Sequence, residues 1–140
     1  MASARLKSRT PSARFVATGF LKGHVLKFHK RSKDGSGKCN AYYTGRETDH
    51  LWGVVFEIDL SEKRNLDKAE GLGNGYEERA VIIECQGGPV DAVTYLAQPT
   101  AIDNSLLPYQ WYKDFVVDGA NENGLPVPYV RRLRSIDTRQ

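Results

Sequence analysis

Residues 51–75 read LWGVVFEIDLSEKRNLDKAEGLGNG, and this stretch decides the fold class. Positions 51–58 are nearly continuous in aliphatic and aromatic residues, which predicts a central strand covered on both faces. Positions 60–70 then take helical character. Asp59 and Glu62 stand in the D-x-x-E spacing of a capping box, and Gly71 is a natural C-terminal stop. Upstream, 14–21 and 24–29 read as strands around a hairpin turn at Lys22-Gly23. Alternation puts His24, Leu26 and Phe28 on one face and Val25, Lys27 and His29 on the other. A polar loop at 30–38 and a short strand at 39–43 follow. Downstream, strands at 76–84 and 90–97 are joined through Gln86-Gly87-Gly88-Pro89. Pro108 opens a helix that runs through Trp111 and Phe115 to about Asn123, with Gly124 ending it. A last helix at 128–136 puts Tyr129, Leu133 and Ile136 on one face. Residues 2–9 predict one or two helical turns stopped by Pro11. Strands in the middle with helices inserted or appended give α+β architecture.

The length of 140 residues suits one domain with its own core, expected over 1–136 with a disordered tail at 137–140. With 40% hydrophobic and 26% charged residues, the composition is that of a globular protein. No apolar run approaches the ~18–20 residues of a membrane helix. Residues 1–14 lack the apolar core of a secretory signal, so a cytoplasmic protein is expected. Cys39 and Cys85 show no C-x-x-C spacing, which suggests neither a zinc site nor a disulfide framework.

The most informative chemical feature is Glu70. The C-terminal end of a helix carries partial negative charge, so an ionised carboxylate there is disfavoured. That placement raises a carboxyl pKa toward the range useful for proton transfer, which makes Glu70 the leading catalytic candidate. The glycines at 71, 73 and 75 follow a helix instead of preceding one, so their polarity is wrong for cradling phosphate. They suit a sharp backbone turn and close approach to a small ligand.

Other constellations carry less. His24, His29 and His50 lack the spacing of a metal pair and read as strand or loop residues. Ser61 and Ser105 have no G-x-S-x-G setting. Cys39 follows a basic loop that would depress its pKa, without other elements of a thiol site. Arg5, Lys7, Arg9 and Arg14, then Lys30, Arg31 and Lys33, then Arg131, Arg132 and Arg134 form basic clusters. Aromatic residues do not interleave with them, so solvated charges are favoured over a nucleic-acid surface. Tyr95 and Tyr112 sit among apolar neighbours, and spacing alone favours core phenols over pocket phenols.

Several segments together resemble the γ-glutamylcyclotransferase family. They are Pro11-Ser12-Ala13-Arg14-Phe15, the run 24–39 with its K-D-G-S-G-K loop, and Leu51-Trp52-Gly53-Val54-Val55-Phe56. The Leu66-Asp67-x-x-Glu70-Gly71 signature, Tyr112-Lys113 and Asn123-Gly124-Leu125-Pro126 complete the set, in order along almost the whole chain. The resemblance implies a mixed β-barrel-like sheet of five or six strands flanked by helices. It also implies cyclisation of γ-glutamyl compounds to 5-oxoproline with release of the amine, no metal or cofactor, and a homodimer. By the same resemblance Glu70 is the general acid/base, Tyr95 and Tyr112 line the substrate pocket, and Gly53 lies beside it. Family members begin with a strand ending in a Y-G-S-N loop that holds the γ-glutamyl carboxylate. The present sequence starts with Met1-Ala2-Ser3-Ala4-Arg5-Leu6, matching the residues just after that loop, so the first strand is expected to be missing. Two alternatives stay open: a non-catalytic family member that binds a small ligand or a partner, and, less favoured, a nucleic-acid-binding module.

Overall fold

The structure, a computed structural model, describes residues 10–139. The helical turns expected at 2–9 lie outside the described residues, as do Arg5, Lys7 and Arg9. The elements run β1 (Arg14–Lys22), β2 (His24–Arg31), β3 (Gly37–Tyr43), β4 (His50–Glu57), α1 (Leu60–Glu70), β5 (Tyr76–Cys85) and β6 (Gly88–Ala97). A 3₁₀ turn (Pro99–Ala101), α2 (Gln110–Glu122) and α3 (Val127–Arg134) complete the chain. The architecture is α+β, as expected.

The strands form a four-stranded sheet ordered β4-β1-β5-β6 and a two-stranded ribbon of β2 and β3. β3 lies along β6 and β2 along β4, so the ribbon closes the sheet into a barrel-like ring. One link is direct: the Ala97 N–H donates to Asn40 Oδ1 at 2.8 Å. Conserving this closed shape matters for the site, because the interior it encloses is only partly filled.

Three local expectations need correction. The Lys22-Gly23 turn forms, with Gly23 at φ 75°, but it does not make a hairpin. β1 pairs with β4 and β5, β2 pairs with β3, and the turn carries the chain from one sheet to the other. The strand at 51–58 is an edge of the four-stranded sheet, not its centre, since β4 is hydrogen-bonded to β1 alone among the described strands. Its apolar run has a different cause, because both of its faces look into cavities. In β2 a bulge sets Phe28 and His29 opposite the single residue Cys39, between the pairs Lys27↔Asn40 and Lys30↔Lys38. The extra residue breaks strict alternation, so Phe28 and His29 are both buried.

The core is built from α2 and α3. Val117, Ala120, Leu125, Val130 and Leu133 are buried together, with Leu26 of β2, Trp52 of β4, Tyr129 and Ile136 packed against them. Lys113 is buried as well, and its ammonium donates to the carbonyls of Arg134 at 2.8 Å and Ile136 at 2.9 Å. A cation on the unpaired carbonyls of a helix end is favourable, so Lys113 fastens α3 to α2. Of the expected tail, Arg139 is tied back, its N–H donating to the Pro108 carbonyl at 2.9 Å and its guanidinium to the Gly35 carbonyl at 2.9 Å.

Candidate active site

α1 spans Leu60–Glu70, the range its sequence predicts, but its N-terminus is capped from elsewhere. Asp59 makes no side-chain cap. Instead the Asp59 N–H donates to Ser12 Oγ at 2.9 Å, and the Ser12 N–H donates to the Glu62 carboxylate at 3.0 Å. Ser12, forty-seven residues before Asp59, therefore takes over half of the capping box. The C-terminus closes as a Schellman motif, with Leu72 N–H to Asp67 O at 2.9 Å and Gly71 N–H to Lys68 O at 3.2 Å. Gly71 supplies the left-handed turn at φ 74°. This exit fixes Glu70 as the last helical residue, half-buried and facing the barrel interior.

Two cavities meet at Glu70. The larger, about 550 Å³, lies between α1 and the sheet and is walled mostly by aliphatic side chains, among them Leu51, Val54, Leu66, Val81 and Ile83. The smaller, about 390 Å³, carries the phenols of Tyr76, Tyr95, Tyr112 and Tyr129 beside Cys39 and Asn40. Glu70, Tyr95 and Gly53 line both. A Cβ at Gly53 would meet no atom within 4 Å, so the glycine leaves that wall open. The sequence candidates Glu70, Tyr95, Tyr112 and Gly53 are thus brought around one connected space.

Each phenol is held differently. The Tyr95 hydroxyl donates to Asp67 Oδ1, an oxygen that also takes the Lys63 ammonium. Lys63 reaches on to Glu78 on β5 at 2.5 Å. Lys63 and then Tyr95 hold the Asp67 carboxyl below the usual carboxylate range. Burial lowers the Lys63 pKa, but the Asp67 and Glu78 carboxylates outweigh it and hold Lys63 above the ordinary lysine value. Burial first, and the bond to Asp67 second, push the Tyr95 phenol up.

On the opposite wall the main chain of Cys39 does the holding. Its N–H donates to the Tyr112 hydroxyl oxygen at 3.1 Å, and its carbonyl accepts from the Tyr76 hydroxyl at 2.7 Å. Burial drives the pKa of both phenols upward, with the neighbouring Cys39 adding to it. The Glu70 carboxylate contributes to the rise at Tyr76 and at Cys39, which marks its electrostatic reach across the cavity. The Tyr129 phenol is also raised by burial, and its hydroxyl lacks a well-formed hydrogen bond among the described residues, although the Trp52 main chain lies alongside.

Cys39 reverses its expectation. Its thiol is pushed up to about 11 by burial, against the small lowering from Tyr112 and Lys38, so the basic loop does not activate it. That loop is a structural turn: Asp34 accepts the Ser36 N–H at 2.9 Å and its hydroxyl at 2.5 Å, with Ser36 fully buried. His29 is a satisfied core residue. Asn40 Oδ1 is committed to the Ala97 N–H, so its amide donates to His29 Nε2 at 2.9 Å, and His29 Nδ1–H donates to Asn104 at 2.9 Å. His24 is buried with Nδ1 on the Lys22 carbonyl, and His50 stacks on Phe20. The basic clusters spread over separate elements: Arg14 pairs with Glu57, Arg31 with Asp103, and Lys30 lies over the Tyr76 ring.

Sequence reasoning missed Tyr76, Tyr129 and the Lys63–Asp67 pair. The pair had a readable signal, since oppositely charged residues at i and i+4 share one face of a helix, and Glu70 follows three residues on. Tyr76 and Tyr129 had none, because long-range closure of the ring brings them in.

The sequence pattern of the AIG2-like family matches residues 50–133, which takes in β4, α1, β5, β6, α2 and most of α3. A Bos taurus protein named gamma-glutamylcyclotransferase is 32% identical over 138 residues, covering 95% of this chain and 72% of the relative. A Homo sapiens protein of the same name is 29% identical over 142 residues, with the same coverage. Among solved structures, a gamma-glutamyl cyclotransferase superposes with a TM-score of 0.88 at 27% identity, over 99% of this chain and 83% of that one.

Proposed function

The chain belongs to the AIG2-like family, and from that premise we propose that it is a γ-glutamylcyclotransferase with Glu70 as its general acid/base. The observation that carries the site assignment is the position of Glu70, a carboxylate on a helix end where a tyrosine-lined cavity meets a larger apolar one. A γ-glutamyl compound fits such a junction. Its compact glutamyl half suits the tyrosine cavity, and the scissile amide then lies beside Glu70.

The reaction asks little of the protein beyond proton traffic and geometry. The substrate α-amino nitrogen attacks the γ-carbonyl carbon, and the Glu70 carboxylate accepts the proton that nitrogen loses. The new C–N bond closes the five-membered lactam. The same carboxyl then protonates the departing nitrogen as the original amide C–N bond breaks, which gives 5-oxoproline and a free amine. The proton taken equals the proton returned, and no water is consumed. Holding amine and carbonyl in a folded conformation supplies much of the advantage, because the step is already intramolecular. Tyr112 accepts from the Cys39 main-chain N–H and turns its own hydrogen to the Cys39 sulfur, a weak acceptor that a developing carbonyl oxygen can outcompete, so it can donate to that oxygen. Gly53 leaves room for the substrate at the junction.

The test is release of 5-oxoproline from a panel of γ-glutamyl amino acids, peptides and amines. Turnover is expected, and Glu70→Gln should lower kcat by about 10²–10⁴ with the fold intact by circular dichroism. A Glu70→Gln protein that keeps full turnover rejects the assignment. The resemblance also carries cytoplasmic placement and a homodimer into the proposal. Light scattering of the purified chain tests the dimer, and the mass of a single chain would reject it. Among the described residues, no helix is long and apolar enough to cross a membrane.

A further inference from the structure

Lys63 and Asp67 sit on the same face of α1 as Glu70, two turns and one turn before it. Asp67 Oδ1 receives both the Lys63 ammonium and the Tyr95 hydroxyl, and Lys63 is anchored in turn to Glu78 of β5. A phenol has one hydrogen. Because Tyr95 gives that hydrogen to Asp67, its oxygen can only accept, from the Lys63 ammonium with one lone pair and from the cavity with the other. The junction therefore presents two acceptors, the Glu70 carboxylate and Tyr95 Oη, both lining the same two cavities. Without Asp67 the hydroxyl is released to turn into the junction that Glu70 also lines.

We propose that Lys63 and Asp67 are positioning residues that keep the Tyr95 hydroxyl turned away from Glu70, so that Tyr95 Oη and the Glu70 carboxylate together hold the α-amino nitrogen of the substrate. The inference rests on the reading of this junction as the γ-glutamyl site. A primary amine has the hydrogens to serve both acceptors, and keeping one of them on Tyr95 aims its lone pair at the γ-carbonyl. Lys63 keeps Asp67 ionised and fixes its rotamer, and the link to Glu78 ties that geometry to the sheet instead of to the helix alone.

Four variants separate this arrangement from simple packing. Tyr95→Phe removes the second acceptor and should raise KM about tenfold or more, with a smaller change in kcat and no displacement of the acid limb of the pH–kcat/KM profile. Asp67→Ala should raise KM comparably and in addition shift the acid limb to lower pH, because the released Tyr95 hydrogen now bonds to the ionised form of Glu70 and favours it. Asp67→Asn keeps an oxygen acceptor for Tyr95 and should restore most of the KM. The Asp67→Ala/Tyr95→Phe double variant should behave as Tyr95→Phe, without the limb shift. Ultraviolet titration of the phenols gives a readout independent of turnover: Asp67→Ala should bring one phenol down toward the ordinary tyrosine value, and Asp67→Asn should not. An acid limb that stays put in Asp67→Ala, or shifts equally in the double variant, overturns the positioning role while leaving Glu70 in place. A wild-type protein inactive on the whole γ-glutamyl panel instead removes the reading of the site, and the amine-holding role of Tyr95 with it.

Discussion

The two walls of the tyrosine cavity hold their phenols by opposite means. On the α1–β6 wall, Tyr95 is clamped by charge, through Asp67, Lys63 and Glu78. On the opposite wall, Tyr112 of α2 and Tyr76 of β5 are clamped by the neutral main chain of one residue, Cys39 of β3. The charged clamp consumes a phenolic hydrogen and leaves an acceptor. The neutral clamp splits its work, so that Tyr76 spends its hydrogen on a carbonyl while Tyr112 gives its own only to the weakly accepting Cys39 sulfur. One cavity thereby offers an acceptor on one side and a donor on the other, which is what a reaction between an amine and a carbonyl requires.

The neutral wall can be broken through its backbone. Gly37 opens β3 so close to β2 that an added Cβ would stand 2.1 Å from the Phe28 carbonyl oxygen. Gly37→Ala should cost about 3 kcal/mol, read as a lowered urea midpoint, and should disturb Cys39 and its two tyrosines together. A neutral outcome would mean that the ribbon shifts freely and does not set the wall. The donor–acceptor contrast itself is sharpened by Tyr112→Phe. Losing a hydrogen-bond donor to the developing oxyanion should lower kcat by about 10² with little change in KM, the reverse of the pattern expected for Tyr95→Phe.

Acid should attack the charged wall alone, whereas alkali should attack both, because Tyr95 and Lys63 are raised as well. On the neutral wall, Cys39 is raised from 9.0 to about 11, and Tyr76 and Tyr112 are raised from 10.0, all chiefly by burial. Groups with raised folded values hold their protons more tightly in the fold than in the unfolded chain. Their contribution is intact below pH 9 and is lost as pH climbs through about 11 and beyond. On the charged wall, Asp67 is depressed by Lys63 and Tyr95. Its contribution is present above its ordinary value of 3.8 and is lost as pH falls through the lowered one. Thermal melts across pH should therefore show an alkaline decline that Tyr112→Phe lessens and an acid decline that Asp67→Asn lessens. The smallest expected effect lies outside both walls: Lys113→Met removes the ammonium from the α3 carbonyls and should lower stability by about 1–3 kcal/mol, leaving KM unchanged.

The legible parts of this molecule are those written locally. α1 could be bounded from its own residues because periodicity and Gly71 act within a few positions, and Glu70 stood out for the same reason. Its N-terminal cap is not legible, since Ser12 is remote in sequence and nothing near Asp59 announces it. β4 looked central because a continuous apolar run cannot distinguish sheet neighbours from cavity walls. The pairing of β1 with β4 and β5 instead of β2 is a long-range choice that a turn at Gly23 leaves open. The raised Cys39 thiol is not legible, because the charge of neighbouring lysines is visible in sequence and burial is not. Tyr95 and Tyr112 became pocket residues only through the family resemblance, and the hydrogen-bond polarity that separates them is a property of the folded ring.

The helix that carries Glu70 has no buried residue along its eleven positions, whereas α2 and α3 each contribute buried side chains to the core. Its attachment is made at a few polar points: Ser12 at the start, Lys63–Glu78 in the middle and Asp67–Tyr95 one turn later. An element held this way can detach and re-form without melting the rest, since little apolar surface is uncovered when it leaves. Amide hydrogen exchange should accordingly run fastest through 60–70 and slowest through α2 and α3. Breathing of α1 would then open the barrel interior from the side, giving a substrate its entry and a product its exit on a time base set by three polar contacts.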